Sequence, residues 1–202
     1  MLKKLLSIFI FFIVICVFGQ FSSVQIDSIA DELKQKTIID KDDTEVLEIL
    51  NRLYEDVLQS DEGELSLETS VSLNNFYTNE NSKNLHILTL LLIYQEYFLQ
   101  VINNEIIEDS NYQLALIQKI EAEIRNLYDE IPAIIYIYKV ESLETNGLRN
   151  DVETVLQEGL AKFPDSIPLK VYTYLITNDS SIKDFLVKNH PDHWMVKQFG
   201  IN

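Results

Sequence analysis

Residues 129–138 read DEIPAIIYIY, and residues 165–174, which follow 36 positions later, read DSIPLKVYTY. The aspartate, the isoleucine before the proline, the proline and both tyrosines recur in register. Repetition at a period of 20–50 residues is typical of supersecondary units that stack side by side. Proline suits the first turn of a helix, where its missing N–H is not needed. We therefore expect the two stretches to begin equivalent helices of neighbouring units.

The chain around this repeat is predicted to be helical throughout. Apolar residues recur at helical spacing in the segments 21–38, 46–58, 84–102, 110–128, 133–143 and 148–163. The five glycines and four prolines lie almost entirely near the ends of these segments. Long apolar helices alternating with amphipathic ones across short loops indicate antiparallel pairs. The predicted fold class is all-α, with antiparallel helix pairs stacked as a short α-solenoid.

Two local details of this prediction depend on less regular patterns. Residues 64–78 fit a half-buried strand or a helix, but a lone strand cannot satisfy its own backbone hydrogen bonds, so we predict a helix. Asp42 with Glu45, and Ser110 with Gln113, match the spacing of a capping box at a helix start.

The first residues have the composition of a secretory signal peptide. Lys3 and Lys4 precede an apolar run over residues 5–18, and Gly19 follows it. The run is shorter than the roughly 20 residues that span a bilayer. We expect residues 1–19 to be cleaved, which leaves one domain over residues 20–202 in the periplasm or outside the cell, without stable membrane insertion. The alternative is an uncleaved anchor.

The net negative charge of the chain limits the classes of partner that it is expected to bind. Sixteen basic side chains stand against 32 acidic ones, and removal of residues 1–19 leaves 14 basic ones. The predicted N-terminal helices, residues 21–80, hold 15 acidic and 4 basic side chains, a higher density of net negative charge than residues 84–202, which hold 17 acidic and 9 basic ones. Such a surface repels phosphate backbones and anionic lipids, so nucleic acid is not an expected partner. Cys16, the single cysteine, lies in the predicted signal, so no disulfide is expected.

The C-terminal half resembles the tetratricopeptide-repeat family. Residues 163–167, FPDSI, are similar to the boundary between two such repeats, where a proline ends the second helix. Leu156 and Gly159 match positions where the family prefers a large apolar and a small residue. Residues 189–194, NHPDHW, repeat this junction with an aromatic residue that opens the next helix.

The resemblance covers residues 110–202 and extends weakly back to about residue 84. Val140 and Val152 depart from it, because they stand where small residues usually let the helices approach closely. In this family the repeats build a concave groove that binds peptides or protein segments. The resemblance therefore implies a non-catalytic interaction module with a protein or peptide partner and no cofactor.

The candidate contact residues are tyrosines on the most apolar predicted helices. Tyrosines two positions apart point to roughly opposite sides of a helix, so one of each pair is expected in the core and the other is free to offer a ring and a hydroxyl to a partner. Simple packing of all of them is the alternative. The candidates are Tyr94, Tyr97, Tyr136, Tyr138, Tyr172 and Tyr174.

Two other functional classes remain open from the sequence. The acidic N-terminal face suits a periplasmic inhibitor or immunity-type protein that blocks a basic site. Glu96, between tyrosines on an apolar helix, is the best candidate for a small enzyme, since burial raises the pKa of a carboxyl as a general acid requires. No metal site is expected, because His190 and His193 lack a third ligand and residues 40–44 lack the glycine of a calcium loop.

Overall fold

The computed structural model describes residues 23–202, so the predicted signal peptide lies outside the described residues. Within that range every regular element is helical, which confirms the all-α class. The α-helices are α1 Ser23–Gln35, α2 Glu45–Leu53, α3 Leu67–Thr78, α4 Leu85–Ile102, α5 Ser110–Leu127, α6 Ala133–Thr145, α7 Arg149–Lys162, α8 Ile167–Thr177, α9 Ser180–Asn189 and α10 Trp194–Gln198. Helix α2 continues directly into a π-helical segment, Tyr54–Gln59.

Each helix from α4 to α8 packs against the next one along the chain, and short loops connect them. The last helix, α10, packs against α8. A main hydrophobic core runs from α1 to α8, and a smaller C-terminal cluster joins α8, α9 and α10. Burial of apolar side chains between these helices supplies the principal driving force of folding. The members of the C-terminal cluster are Ile167, Val171, Leu186, Met195, Val196 and Ile201.

The predicted helix in residues 64–78 is confirmed as α3. Its N-cap is Ser66, whose side-chain oxygen accepts a 3.1 Å hydrogen bond from the backbone N–H of Thr69. This is the usual way to satisfy one of the unpaired amides at a helix start. Phe76 is buried and anchors α3, which packs against α2.

The predicted capping box at Asp42 is wrong. Helix α2 begins at Glu45, and its N-cap Thr44 makes no side-chain cap hydrogen bond. The carboxylate of Asp43 instead accepts a 3.1 Å hydrogen bond from the Glu45 N–H. An aspartate that bonds the backbone two residues on is a common local alternative to a capping box.

The capping box predicted at Ser110 is wrong as well. The cap of α5 is Asp109, whose carboxylate accepts hydrogen bonds of 3.1 Å from the amides of Asn111 and Tyr112. The side chain of Gln113 is buried and donates to the hydroxyl of Tyr94 on α4. Asp109 prevails over Ser110 as the cap because its carboxylate is a charged hydrogen-bond acceptor. Gln113 does not take part in the cap because its side chain bonds to Tyr94.

Helix α2 and the π-helical segment pack against the first helices of the pairs α4–α5, α6–α7 and α8–α9. Helix α2 contacts α4 and α6, and the π-helical segment contacts α6 and α8. Gln59, at the end of that segment, accepts a 3.0 Å hydrogen bond from the Ile167 amide and donates one of 3.2 Å to the Asp165 carbonyl. The second copy of the repeated stretch is therefore held by a residue more than 100 positions earlier.

Helix α1 packs on α4 and α5 and is fixed there by charge. Lys34 lies 2.6 Å from Glu123, a carboxylate only 4% exposed, and Lys119 lies 3.0 Å from Asp27. Burial alone would raise the pKa of Glu123, but the lysines outweigh it and hold that pKa below its ordinary value. His86 is fully buried beside Glu123, and burial lowers its pKa.

The C-terminal end closes against the loop that follows the π-helical segment. The Nε2 atom of His193 lies 3.0 Å from the Leu58 carbonyl, and the Trp194 amide donates a 3.1 Å hydrogen bond to the Asp61 carbonyl. His193 is fully buried, its Nδ1 accepts from the Met195 amide, and burial lowers its pKa. The chain thereby joins its C-terminal helix to its N-terminal third.

Helix α4 has the length and composition of a membrane span. It is 18 residues long with a mean hydropathy of 1.5, and it is the one helix within residues 23–202 that meets both criteria. Six of its side chains are buried against α5 and the other helices around it: His86, Ile87, Leu88, Leu90, Leu91 and Tyr94. In this fold α4 is a core helix.

Candidate functional site

Three tyrosines from three successive pairs gather around one carboxyl group. Tyr94 belongs to α4, Tyr138 and Glu141 to α6, and Tyr172 to α8. The rings of Tyr94 and Tyr138 lie 5.2 Å apart at an interplanar angle of 32°. The hydroxyl of Tyr172 donates a 2.6 Å hydrogen bond to Oε1 of Glu141. We call these four residues the tyrosine cluster.

Neutral polar groups orient the members of the tyrosine cluster. The Tyr94 hydroxyl lies 3.1 Å from the Ser142 hydroxyl and accepts a 3.2 Å hydrogen bond from Gln113. Ser142 itself donates to the backbone carbonyl of Tyr138, so the hydrogen from Tyr94 is available to Ser142. Gln95 reaches the Tyr138 hydroxyl at 3.4 Å, a weak contact. Tyr94 is thus fixed in position by α5 and α6.

The cluster remains in contact with solvent. Tyr94 is buried, with 2% of its surface exposed, whereas Tyr138, Glu141 and Tyr172 are half-buried. Two surface depressions of about 300 and 370 Å³ lie elsewhere, one bounded by α7, α8 and α9 and the other by α5, α6 and α7. The tyrosine cluster is therefore partly exposed rather than enclosed in the core.

The electrostatics of the cluster centre on Glu141. Burial raises the pKa of Glu141 to about 7, and the hydrogen bond from Tyr172 offsets that effect only in part. Burial also raises the pKa of Tyr138 to about 12 and moves the pKa values of Tyr94 and Tyr172 upward. The phenols stay neutral at physiological pH, while Glu141 changes charge near neutrality.

Tyr136 and Tyr174, two of the other predicted tyrosines, pack against side chains outside the tyrosine cluster. Tyr136 is 4% exposed, and its ring packs 6.0 Å from that of Phe163, with the Lys162 ammonium 5.5 Å from the ring centre. Tyr174 is half-buried beside the C-terminal cluster. Neither of the two has a hydrogen bond to the tyrosine cluster in the described part of the chain.

Tyr97 fixes the loop between α4 and α5. Its hydroxyl donates a 2.9 Å hydrogen bond to the Asp109 carbonyl and accepts one from the Asp109 amide. Its ring packs 4.9 Å from that of Tyr112. A tyrosine that satisfies both backbone groups of one residue holds the start of α5 in place.

Glu96, the enzymatic candidate from the sequence, lies apart from the hydrogen bonds of the tyrosine cluster. It is half-buried, and its carboxylate accepts a 3.0 Å hydrogen bond from Gln100, one turn later on α4. Such an i,i+4 pair is a local helix contact. Glu141 was not predicted from the sequence as a member of the site. Its position three residues after Tyr138, on the same helix face, could have indicated that the two side chains lie together.

No family model, curated protein or solved structure matches the chain. Among residues 23–202 there is also no group of three histidine, cysteine, aspartate or glutamate side chains arranged to hold a metal ion. The groups that the cluster offers are phenol rings, hydroxyls, amides and one carboxyl.

Proposed function

We propose that the protein is an exported, non-catalytic interaction module that binds a peptide or protein segment through the tyrosine cluster. In this proposal the pairs α4–α5, α6–α7 and α8–α9 stack as tetratricopeptide-like units, and their first helices present the contact face. The observation that carries the proposal is the convergence of Tyr94, Tyr138 and Tyr172 from three successive first helices.

The composition of the face supports recognition of a peptide rather than catalysis. Tyrosine rings give large apolar contacts at low entropic cost, and their hydroxyls bond to backbone groups of an extended partner. Gln95 adds a further amide at the edge of the face, 3.4 Å from the Tyr138 hydroxyl. The groups that bond to the cluster are otherwise uncharged, which gives it no general base to act with Glu141.

The test is selection of an unbiased phage-displayed peptide library on residues 20–202, followed by titration of the selected peptides. We expect Tyr138→Ala and Tyr172→Ala each to weaken binding about tenfold or more, as truncation at a central contact does. Tyr174→Phe is the matched control, because Tyr174 lies on α8 with Tyr172 but packs beside the C-terminal cluster. Equal affinity of all variants would overturn the proposal.

Export is proposed from residues 1–19 and has its own test. Expression of the complete chain in a bacterium with a periplasm, followed by fractionation and mass spectrometry, should give a soluble product that begins at Gln20. A membrane-bound product that retains residues 1–19 would instead identify an uncleaved anchor.

A second candidate function, an inhibitor that acts through an acidic face, has one observation in its favour. Residues 45–68 present a run of exposed carboxylates on and around α2, namely those of Glu45, Glu48, Glu55, Asp61, Glu62, Glu64 and Glu68. Capture of a basic protein that weakens steeply with salt and is insensitive to Tyr172→Ala would favour this function over the first.

A further inference from the structure

Glu141 differs from the two buried glutamates, Glu121 and Glu123, in having no cationic partner. Glu121 pairs with Lys139 and Arg125 at 2.7 Å, and Glu123 pairs with Lys34 at 2.6 Å. Glu141 forms no ion pair with any lysine, arginine or histidine of residues 23–202.

The hydrogen bonds of Glu141 leave one of its oxygens available. Oε1 accepts from Tyr172, and no described side chain or amide bonds Oε2. A carboxylate removed from water without a counter-ion is costly, and it is stabilised by any cation that reaches it. Oε2 of Glu141 is therefore available to pair with a cation of a bound ligand.

The rings around Glu141 favour the same kind of ligand. The face of a tyrosine ring carries negative potential and attracts ammonium and guanidinium groups, most strongly where water is excluded. Tyr138 and Tyr172 are half-buried, the ring of the buried Tyr94 packs 5.2 Å from that of Tyr138, and the ring of Phe199 packs 6.1 Å from that of Tyr172. A half-buried carboxyl between such rings is a site for a cationic side chain.

We propose that the tyrosine cluster binds a lysine or arginine side chain of the partner peptide, with Glu141 as its counter-ion. The proposal rests on the proposed function for the statement that a peptide carries the cation. Charge complementarity supports it on the scale of the whole chain, which holds 32 acidic against 16 basic side chains. The stem of the cation packs on Tyr138 and Tyr172, and its head bonds to Oε2.

Binding of a cation in this way releases a proton. The titratable groups that face Glu141 are the phenols of Tyr94 from α4, Tyr138 from α6 and Tyr172 from α8. All three stay neutral, so Glu141 is the member of the cluster that ionises between pH 6 and 8. If the cation lowers the pKa of Glu141 by about one unit, it binds the ionised form about tenfold more tightly than the protonated form. Affinity should therefore rise from pH 6 to pH 8.

The direct test uses n-butylammonium as a probe of the lysine side chain, with n-butanol and butyrate as neutral and anionic counterparts. Nuclear magnetic resonance of residues 20–202 would follow the ring signals of Tyr138 and Tyr172 and the carboxyl carbon of Glu141. We expect n-butylammonium to shift the ring signals and lower the titration midpoint of Glu141, with affinity about fivefold higher at pH 8 than at pH 6, because the full tenfold difference applies only between the wholly ionised and wholly protonated forms. Butyrate should leave these signals unchanged.

The variants separate a counter-ion from an ordinary buried carboxyl. Glu141→Gln keeps an acceptor for Tyr172 but removes the charge, and it should abolish the response to n-butylammonium. Glu144→Gln, an exposed position on the same helix, should retain it. Equal shifts with n-butanol and n-butylammonium, or an unchanged response in Glu141→Gln, would overturn the proposal. Thermal unfolding of each variant verifies that it is folded.

Different results would overturn the proposed peptide binding and the proposed cation site. Selected peptides that need Tyr138 and Tyr172 but tolerate replacement of every lysine and arginine by glutamine would overturn the cation site and leave the proposed function standing. A response to n-butylammonium that requires Glu141, with no peptide bound at the tyrosine cluster, would support the cation site and overturn the proposed function.

Discussion

The hydroxyl of Tyr172 donates a 2.6 Å hydrogen bond to Glu141, which joins the first helices of two neighbouring pairs, α6 and α8. These residues are 31 positions apart, and the carboxyl that accepts the bond has a pKa raised by burial to about 7. The contact therefore links the packing of the two helices to the protonation of one group.

Glu141 should make the stability of the protein depend on pH. Its pKa is about 7 in the folded protein against 4.5 when exposed, so the folded state holds the proton more tightly. Stability that is present below pH 4.5 is lost as the pH rises to about 7. Glu141→Gln should remove this loss, on the order of 2 kcal/mol, since one pKa unit is worth about 1.4 kcal/mol and the half-buried carboxyl keeps some hydration.

Urea unfolding of the wild type and of Glu141→Gln at pH 5 and pH 8 measures this difference. Groups that titrate in both proteins, among them His86 and His193, cancel in the comparison. Parallel pH profiles of the two proteins would contradict the expected role of Glu141.

The ion cluster of Glu123 should stabilise the docking of α1. Glu123→Gln leaves Lys34 and Lys119 without their nearly buried partner, and we expect a loss of about 1–3 kcal/mol at pH 7. Because the pKa of Glu123 is lowered in the fold, its contribution is present above pH 4.5 and is lost as the pH falls below that value. Chemical unfolding at pH 7 and at pH 3.5 measures both effects.

Glu32 supplies the matched control for this substitution. Its pair with Lys36 is also 2.6 Å long, but both side chains are about two-thirds exposed or more. Solvent screens an exposed i,i+4 pair, so Glu32→Gln should be almost neutral. Similar losses in the two variants would show that burial does not set the strength of the Glu123 cluster.

Gly63→Ala should be much more destabilising than Gly147→Ala. Both glycines have a left-handed backbone, with φ of +65° and +69° respectively, which costs an alanine about 1 kcal/mol. A Cβ atom at Gly63 would lie 2.7 Å from the Trp194 ring, whereas nothing lies within 4 Å at Gly147. We expect about 2–4 kcal/mol at Gly63 against about 1 kcal/mol at Gly147, by thermal or urea unfolding. Equal losses would mean that Trp194 moves aside freely.

Gln59→Ala should loosen the start of α8. Its side chain accepts from the Tyr54 hydroxyl at 2.7 Å and the Ile167 amide at 3.0 Å, and it donates to the Asp165 carbonyl. We expect a loss of about 1–3 kcal/mol and faster hydrogen exchange of the Ile167 amide, because these polar groups lose their partners. Gln157→Ala, on the exposed face of α7, should change neither.

Helical spacing in the sequence was sufficient to predict the class of fold and the approximate bounds of most helices. Helix α6 spans Ala133–Thr145, within two residues of the apolar segment 133–143 in the sequence. The starts of α2 and α5 were less predictable, since aspartate, serine and threonine compete for the same backbone amides within a few positions. Which acceptor prevails depends on tertiary contacts such as that of Gln113 with Tyr94.

The site was harder to predict than the fold, because equivalent positions in the repeat have different surroundings. Tyr136 and Tyr172 share a register, yet Tyr136 is buried against Phe163 and Tyr172 bonds to Glu141. Helix α6 begins at Ala133, whereas α8 begins two positions earlier in the repeated stretch, at Ile167. Local spacing can predict that tyrosines lie on a helix, but their neighbours are set by residues tens of positions away.

The contacts between the π-helical segment and the C-terminal third also constrain the order in which the protein folds. Leu58 and Gln59 bind groups 106 to 135 positions later in the chain. A ribosome releases the chain from its N-terminus, so these two residues emerge long before Ile167 and His193. The π-helical segment and the loop after it therefore cannot complete their packing until synthesis is nearly finished, although α1 can dock as soon as α4 and α5 have emerged.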